Sequence, residues 1–199
     1  MKSFQYLTII IIFFSCNSQK KFQIIYLNDD YETSYIADKN RNIIKKLNSS
    51  YGLNYRSETL GYFSIFSIQG ENGWTAIDIN ENKLFQVYNT EFGTPSPDDI
   101  IENRIRIVNS LGKIGFANKK GKIVTQPKFE MVTSYNKGKA IIAEKCELKP
   151  WNEHPKENDC QHYSVECKNH GYINKKGEIK KFGNYTFEEI QKEIKWEIK

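Results

Sequence analysis

All three histidines of this 199-residue chain, and three of its four cysteines, fall in one stretch, CELKPWNEHPKENDCQHYSVECKNH, running from Cys146 to His170. Thiols and imidazoles support three chemistries: cross-linking, metal binding and nucleophile–base catalysis. For a metal, the available set is Cys160, His162, Cys167 and His170, enough for a four-coordinate zinc. Its spacing, C-x-H-x4-C-x2-H, matches no usual structural zinc pattern, and the two ligands of a C-x-H on a strand point to opposite faces. A disulfide is the default reading in an exported chain. Cys146 follows the apolar run KAIIAEK and Cys167 precedes HGYIN. If these runs pair as a hairpin, the two thiols face each other across its mouth. The bridge would close a loop of about twenty residues and stabilise the fold by roughly 3 kcal/mol through the unfolded chain. Cys160 is the alternative partner for either, and spacing leaves the connectivity open.

The third reading is a bare polar loop without bridge or metal. Trp151, set between Pro150 and Asn152, argues against it, because a tryptophan on a loop is either tucked down or waiting for a partner. The stretch 146–169 is therefore the candidate contact surface, with Trp151, His154 and His162 as candidate contact residues. Catalysis finds less support. No Ser or Cys motif frames the histidines, and the adjacent carboxylates Asp98 and Asp99 fit a helix start. The glycines are single and turn-placed, so no phosphate loop is present and no cofactor is expected. The expectation is a non-enzymatic binding or scaffold module. The alternative is an envelope hydrolase or metal-dependent enzyme built on the Cys/His-rich insertion 146–170.

The elements that must position this stretch are repeated. IGFANKKGKIVTQPKFE, Ile114 to Glu130, is echoed fifty-six residues later by HGYINKKGEIKKF. Stepping back forty residues from Asn118 reaches Asp78 in WTAIDINENKLF, and another forty reaches Asp38 in SYIADKNRNII. Each anchor follows apolar residues and precedes a polar turn and a second short run. The spacing of 40, 40 and 56 places about sixteen extra residues in the last copy. In RIRIVNSLGKIGFA, Ile105 and Ile107 alternate with Arg104 and Arg106, and Ile114 and Phe116 resume the period, the pattern of a half-buried antiparallel strand. NSLG and NKKG put Asn first and Gly last in a tight reversal, where glycine supplies a positive φ. YFSIFSIQGENGWTAI reads as two strands around Gln69 to Gly73.

These four phrases resemble the WG-repeat family, whose pattern is close to W-G-[FY]-I-D-K-x-G-K-x-[IV], a Pro-x-[YF] step and an aromatic-x-x-Gly-x-Ala step. The third copy carries Gly115, Phe116, Asn118, Gly121 and Pro127, then Tyr135 to Ala140; the fourth carries Gly171, Tyr172, Asn174 and Gly177; the second keeps Trp74 and Asp78. His170 occupies the tryptophan position of the fourth copy, which favours a packed side chain over a ligand. The resemblance implies interaction roles with undefined ligands. Because one hairpin unit cannot bury its apolar side alone, the expectation is an all-β stack of antiparallel hairpin repeats, four degenerate copies of about 40 residues each. Two helices are expected. Ser96 and Pro97 with Asp98 and Asp99 predict a short one near 97–103. At the C-terminus, Thr186 and Glu189 form a capping box ahead of the stripe Phe187, Ile190, Ile194 and Ile198, predicting a capping helix over 186–199.

MKSFQYLTIIIIFFSC opens with Lys2 and an apolar run that stops at Ser15-Cys16, and it resembles a bacterial lipoprotein signal. Residues 1–15 are read as the signal, Cys16 as the lipidated residue, 16–21 as a tether and 22–185 as the repeat domain. The expected address is the outer membrane of a Gram-negative bacterium, with membrane contact through the lipid only. The formal net charge of +5 is mild and favours no nucleic-acid partner. The expected partner is an envelope protein or glycan.

Overall fold

The computed structural model describes residues 20–27, 33–55, 60–90, 96–150 and 163–197. Cys16, Trp151, His154, Cys160, His162 and Ile198 lie outside them. The described chain is mostly strand: β1 (Gln23–Tyr26), β2 (Ser34–Ala37), β3 (Ile43–Lys46), β4 (Tyr51–Asn54), β5 (Ser64–Ile68), β6 (Trp74–Ile77), β7 (Lys83–Val87), β8 (Asn89–Thr90), β9 (Ser96–Pro97), β10 (Arg104–Val108), β11 (Ile114–Asn118), β12 (Ile123–Phe129), β13 (Met131–Val132), β14 (Lys139–Pro150), β15 (Tyr163–Asn174) and β16 (Ile179–Gly183), followed by α1 (Phe187–Ile194). Among the described residues no helix is long and apolar enough to cross a membrane.

Each copy is a three-stranded antiparallel meander whose middle strand, β2, β6, β11 or β15, ends on the anchor residue or one residue before it. The anchor side chain builds the turn. Oδ1 of Asp38, Asp78, Asn118 and Asn174 accepts the backbone N–H groups two and four residues on, at 2.8 to 3.1 Å in every copy. This closed geometry is why only Asp or Asn stands there. It also forces the third residue after the anchor into the left-handed region: Gly121 and Gly177 have φ 77° and 78°, and Arg41 and Glu81 have φ 65° without the benefit of lacking a Cβ. Left-handed backbone costs an L-residue about 1 kcal/mol or more, so Arg41→Gly is expected to stabilise the chain by roughly 0.5 to 1 kcal/mol after the entropy of glycine is counted. A thermal melt that moved downward instead would show that the first-copy turn is not strained.

Copies two and three share a seven-stranded sheet in the order β12-β11-β10-β7-β6-β5-β4, copy one forms β1-β2-β3, and copy four forms β13-β14-β15-β16. The joint within the large sheet is short, with Ile107 opposite Val87 and Val108 opposite Gln86. Apolar clusters join neighbouring copies. Phe22, Ile24 and Ile36 meet Phe66 and Ile77; Ile65 and Val87 meet Ile105 and Ile107; Phe116 and Phe129 meet Tyr135, Ala140 and Ile173. Burying each of these large side chains contributes about 1.5 to 3 kcal/mol, which no single meander could obtain alone. The last open face is closed by α1, whose Ile190 and Ile194 pack on Ile141. Its capping box is formed as the sequence predicts: Thr186 Oγ1 accepts the Glu189 N–H at 3.1 Å, and Glu189 Oε2 accepts the Thr186 N–H at 2.8 Å.

The helix expected near 97–103 is absent. Ser96 and Pro97 instead pair with Thr90 and Asn89 as the β8–β9 ribbon. Beyond it, Glu102 and Asn103 take φ 49° and 64°, and Ile101 and Arg104 exchange two backbone hydrogen bonds, closing a tight hairpin. Two consecutive left-handed residues exclude a right-handed helix and favour this reversal. Asp98 does not sit at a helix start. Its carboxylate is buried and holds Arg106, accepting the backbone N–H at 2.8 Å and the guanidinium at 2.6 Å.

Candidate functional site

The insertion in the fourth copy becomes an arm. β14 and β15 are twelve residues each, more than twice the length of most other strands in the chain. Their inner halves lie in the sheet, flanked by β13 and β16; β13 pairs no further than Ala143 and β16 no further than His170. Past those residues no further strand flanks the two among the described residues, and they end at Pro150 and Tyr163. An isolated two-stranded ribbon is marginal in water. Here it is cross-linked at its root, because Cys146 and Cys167 are register partners and form a disulfide across a separation of 21 residues. The sequence left Cys160 as an alternative partner; the bond falls on the 146–167 pairing.

Strand alternation gives the arm two unlike faces. One carries the disulfide, then Leu148 opposite Val165, then Pro150 opposite Tyr163. Leu148, Val165 and Tyr163 are 69%, 43% and 46% exposed, so this face is apolar and uncovered. The other carries Glu147, Lys149, Glu166 and Lys168, where Lys149 pairs with Glu166 and Lys168 with Glu147. The hydrogen bond and charge of Glu166 raise the Lys149 ammonium above its ordinary range.

Glu130, just after β12, ties the arm to the third copy. One carboxylate oxygen accepts the Cys146 N–H at 2.9 Å and the other receives Lys113 Nζ at 3.0 Å. The Cys146 N–H, then the lysine, hold its carboxyl below the usual carboxylate range. A carboxyl depressed in the folded state adds stability above its unfolded pKa and loses it as pH falls through the folded value. Amide exchange at Cys146 and its neighbours is therefore expected to accelerate as pH drops below about 4, beyond the intrinsic acid trend. Glu130→Gln should show the faster exchange already at neutral pH. An arm equally protected in both proteins would remove Glu130 from its support.

His170 is buried at the tryptophan position of the repeat, as its place in the phrase suggests. Its Nδ1 lies 2.8 Å from the Tyr185 carbonyl, and its ring meets Phe187 edge-on. With Cys167 in the bridge, one of the four metal ligands considered above is already engaged, which corrects that set. Among the described residues no cluster of three or more His, Cys, Asp or Glu is placed to hold a metal.

Sequence reasoning missed a cleft of about 680 Å³ beside the arm. Its walls come from places distant in the chain: Tyr88 and Arg106, the segment 131–136, the arm strands at Ile142, Val165 and Cys167, the start of α1 at Phe187 and Glu188, and Trp196 and Glu197 beyond its end. The residues after α1 fold back to make the floor. Trp196 Nε1 donates to the Ser134 carbonyl at 2.9 Å, and Asn136 Nδ2 donates to the Glu197 carbonyl at 2.9 Å. Tyr135 lies deep here, donating to the Asn174 carbonyl at 2.9 Å, and burial pushes its phenol up to about 12, so it stays a donor.

The repeat phrase is built for close packing. Its Gly115 and Gly171 are packing positions: a Cβ on Gly115 would overlap the Thr125 carbonyl and sit 2.6 Å from the Pro127 nitrogen, and one on Gly171 would overlap the Lys181 carbonyl. The turn lysines Lys119, Lys120 and Lys176 are exposed. No curated protein and no solved structure gives a significant match to the chain. Residues 114–144, the third copy with the first half of the fourth-copy arm strand, match the family model for the WG containing repeat.

Proposed function

We propose that this WG-repeat protein is a lipid-anchored module of the cell envelope that binds a protein or glycan partner through the arm of its fourth copy. The observation that carries this reading is the uncovered apolar face of Leu148, Val165, Pro150 and Tyr163 on a ribbon stapled by a disulfide. A ribbon with no packing duty of its own, held rigid by a covalent bond, presents side chains without the ordering cost of a loose loop. Its free strand edges also suit addition of an extended segment. The repeats serve as the scaffold and the acylated Cys16 as the tether, placing the arm at the surface of the outer membrane of a Gram-negative cell. A disulfide fits an exported location, since such bonds persist in oxidising compartments. The chain acts by binding rather than by catalysis and uses no cofactor.

Two measurements test the reading. Mass spectrometry of the N-terminal peptide from membrane fractions should find Cys16 as the acylated first residue, and an unmodified Cys16 would end the anchored part of the proposal. Capture from envelope fractions should be lost when residues 145–168 are replaced by a short turn. Capture that survived the replacement would move the contact surface elsewhere on the stack.

A further inference from the structure

The cleft beside the arm has a chemistry of its own. Its walls are aromatic and aliphatic, with Tyr88, Tyr135, Phe187 and Trp196 among them, and its volume of about 680 Å³ lies within the range of sites that enclose small ligands. The polar groups facing it are mostly acceptors. Asn136 lines it as well, but its Oδ1 is closed off from the open space and its Nδ2 is engaged with Glu197. His170 must carry its proton on Nδ1 to donate to the Tyr185 carbonyl, which leaves Nε2 an acceptor while the ring is neutral. At the rim stand the carboxylates of Glu188, which makes no ion pair among the described residues, and Glu197, which meets Lys137 at 3.0 Å.

The one cation in the walls does not offset this. Arg106 is matched by Asp98 at 2.6 Å and lies over the Tyr88 ring with 4.5 Å to its centre. We propose that the cleft binds an organic cation with an apolar body, an alkyl- or aryl-ammonium or guanidinium group, presented by a small molecule or by a basic side chain. The body fills the aromatic walls and the cation approaches Glu188 and Glu197. Aromatic rings favour a cation over an anion at close range, in the same sense as the carboxylates. The cleft shares Val165 and Cys167 with the arm, but Leu148, Pro150 and Tyr163 are no part of its lining, so this proposal does not rest on the partner surface argued above.

Phenethylamine and 3-phenylpropionate, titrated into the full-length chain in detergent, make a matched pair of probes of opposite charge. With the Trp196 indole resonance as readout, phenethylamine should give a saturable shift with a Kd on the order of 1 mM, suited to a ligand of this size. Glu188→Gln, an exposed helix position that leaves the fold intact, should weaken it about fivefold, the scale of one exposed charge pair. Acetyl-Phe-Lys-amide, run in parallel, separates the sources: tighter binding than phenethylamine assigns a basic side chain, and weaker binding a free amine. No saturable shift with either cation would overturn the proposal. So would 3-phenylpropionate binding as well as phenethylamine, or an affinity unchanged by Glu188→Gln.

Discussion

Replacing both Cys146 and Cys167 with serine is expected to lower the melting temperature by about 6 to 12 °C. The bridge spans a separation of 21 residues, and closing a loop of that length restricts the unfolded chain by roughly 3 kcal/mol. For a chain of 199 residues each kcal/mol shifts the midpoint by about 2 to 4 °C. The loss should be unevenly distributed. The inner strand pairs, Ile142 with Gly171 and Ala143 with His170, are flanked by β13 on one side and β16 on the other and should persist. The outer pairs, Leu148 with Val165 and Pro150 with Tyr163, have no flanking strand among the described residues and should open first. Limited proteolysis of the double variant should therefore cut between 145 and 168 before any cut elsewhere. A melting temperature within a degree or two of the parent would mean that the bridge constrains nothing the strands do not already hold.

The second large effect concerns the glycine of the repeat phrase. In copies three and four the strand after the turn bulges toward the middle strand, and its carbonyl passes directly over Gly115 or Gly171. A methyl group at Gly171 would overlap the Lys181 carbonyl and sit 2.7 Å from the Phe182 Cα, and both obstacles are backbone. Gly115→Ala and Gly171→Ala should each destabilise by about 3 kcal/mol, at the upper end of overpacking effects. Gly112→Ala is the control. Gly112 needs its positive φ of 72° but has open space around it, so alanine there should cost only about 1 kcal/mol. Equal losses at all three positions would show that conformation, not close approach, fixes glycine in the phrase. Thr75 at the equivalent position of copy two shows that approach is not uniform along the stack. It is 2% exposed and accepts a hydrogen bond from Gln86 Nε2 at 2.9 Å, so the strands there leave room for a side chain.

What could be read from the amino-acid string was local chemistry that repeats. Asp38, Asp78, Asn118 and Asn174 mark four turns because each turn is built by its own first side chain. Thr186 and Glu189 mark a helix start because the capping box is closed within four residues. Cys146 and Cys167 could be matched because hairpin register places them opposite each other. The failures were of two kinds. Glu102 and Asn103 adopt the left-handed turn that Lys137 and Gly138 adopt in the next copy, but with no glycine to signal it, so Pro97, Asp98 and Asp99 suggested a helix. Asp98 answers to Arg106, a partner on another strand, and helix-start rules carry no information about that. The cleft was out of reach for the same reason. Asn136, His170, Glu188 and Trp196 come together only when the residues after α1 fold back on the loop of copy four.

The idea that the repeats are scaffold and the arm is the contact surface is tested most directly by position-specific photo-crosslinking in the native envelope. A photoreactive residue placed at Leu148 should yield a discrete cross-linked partner, and one placed at Lys119, on the turn tip of the third copy, should yield none. The Leu148 adduct should disappear when Val165 is replaced by lysine. An adduct at Lys119 without one at Leu148 would contradict the assignment and return the search for function to the repeated turns.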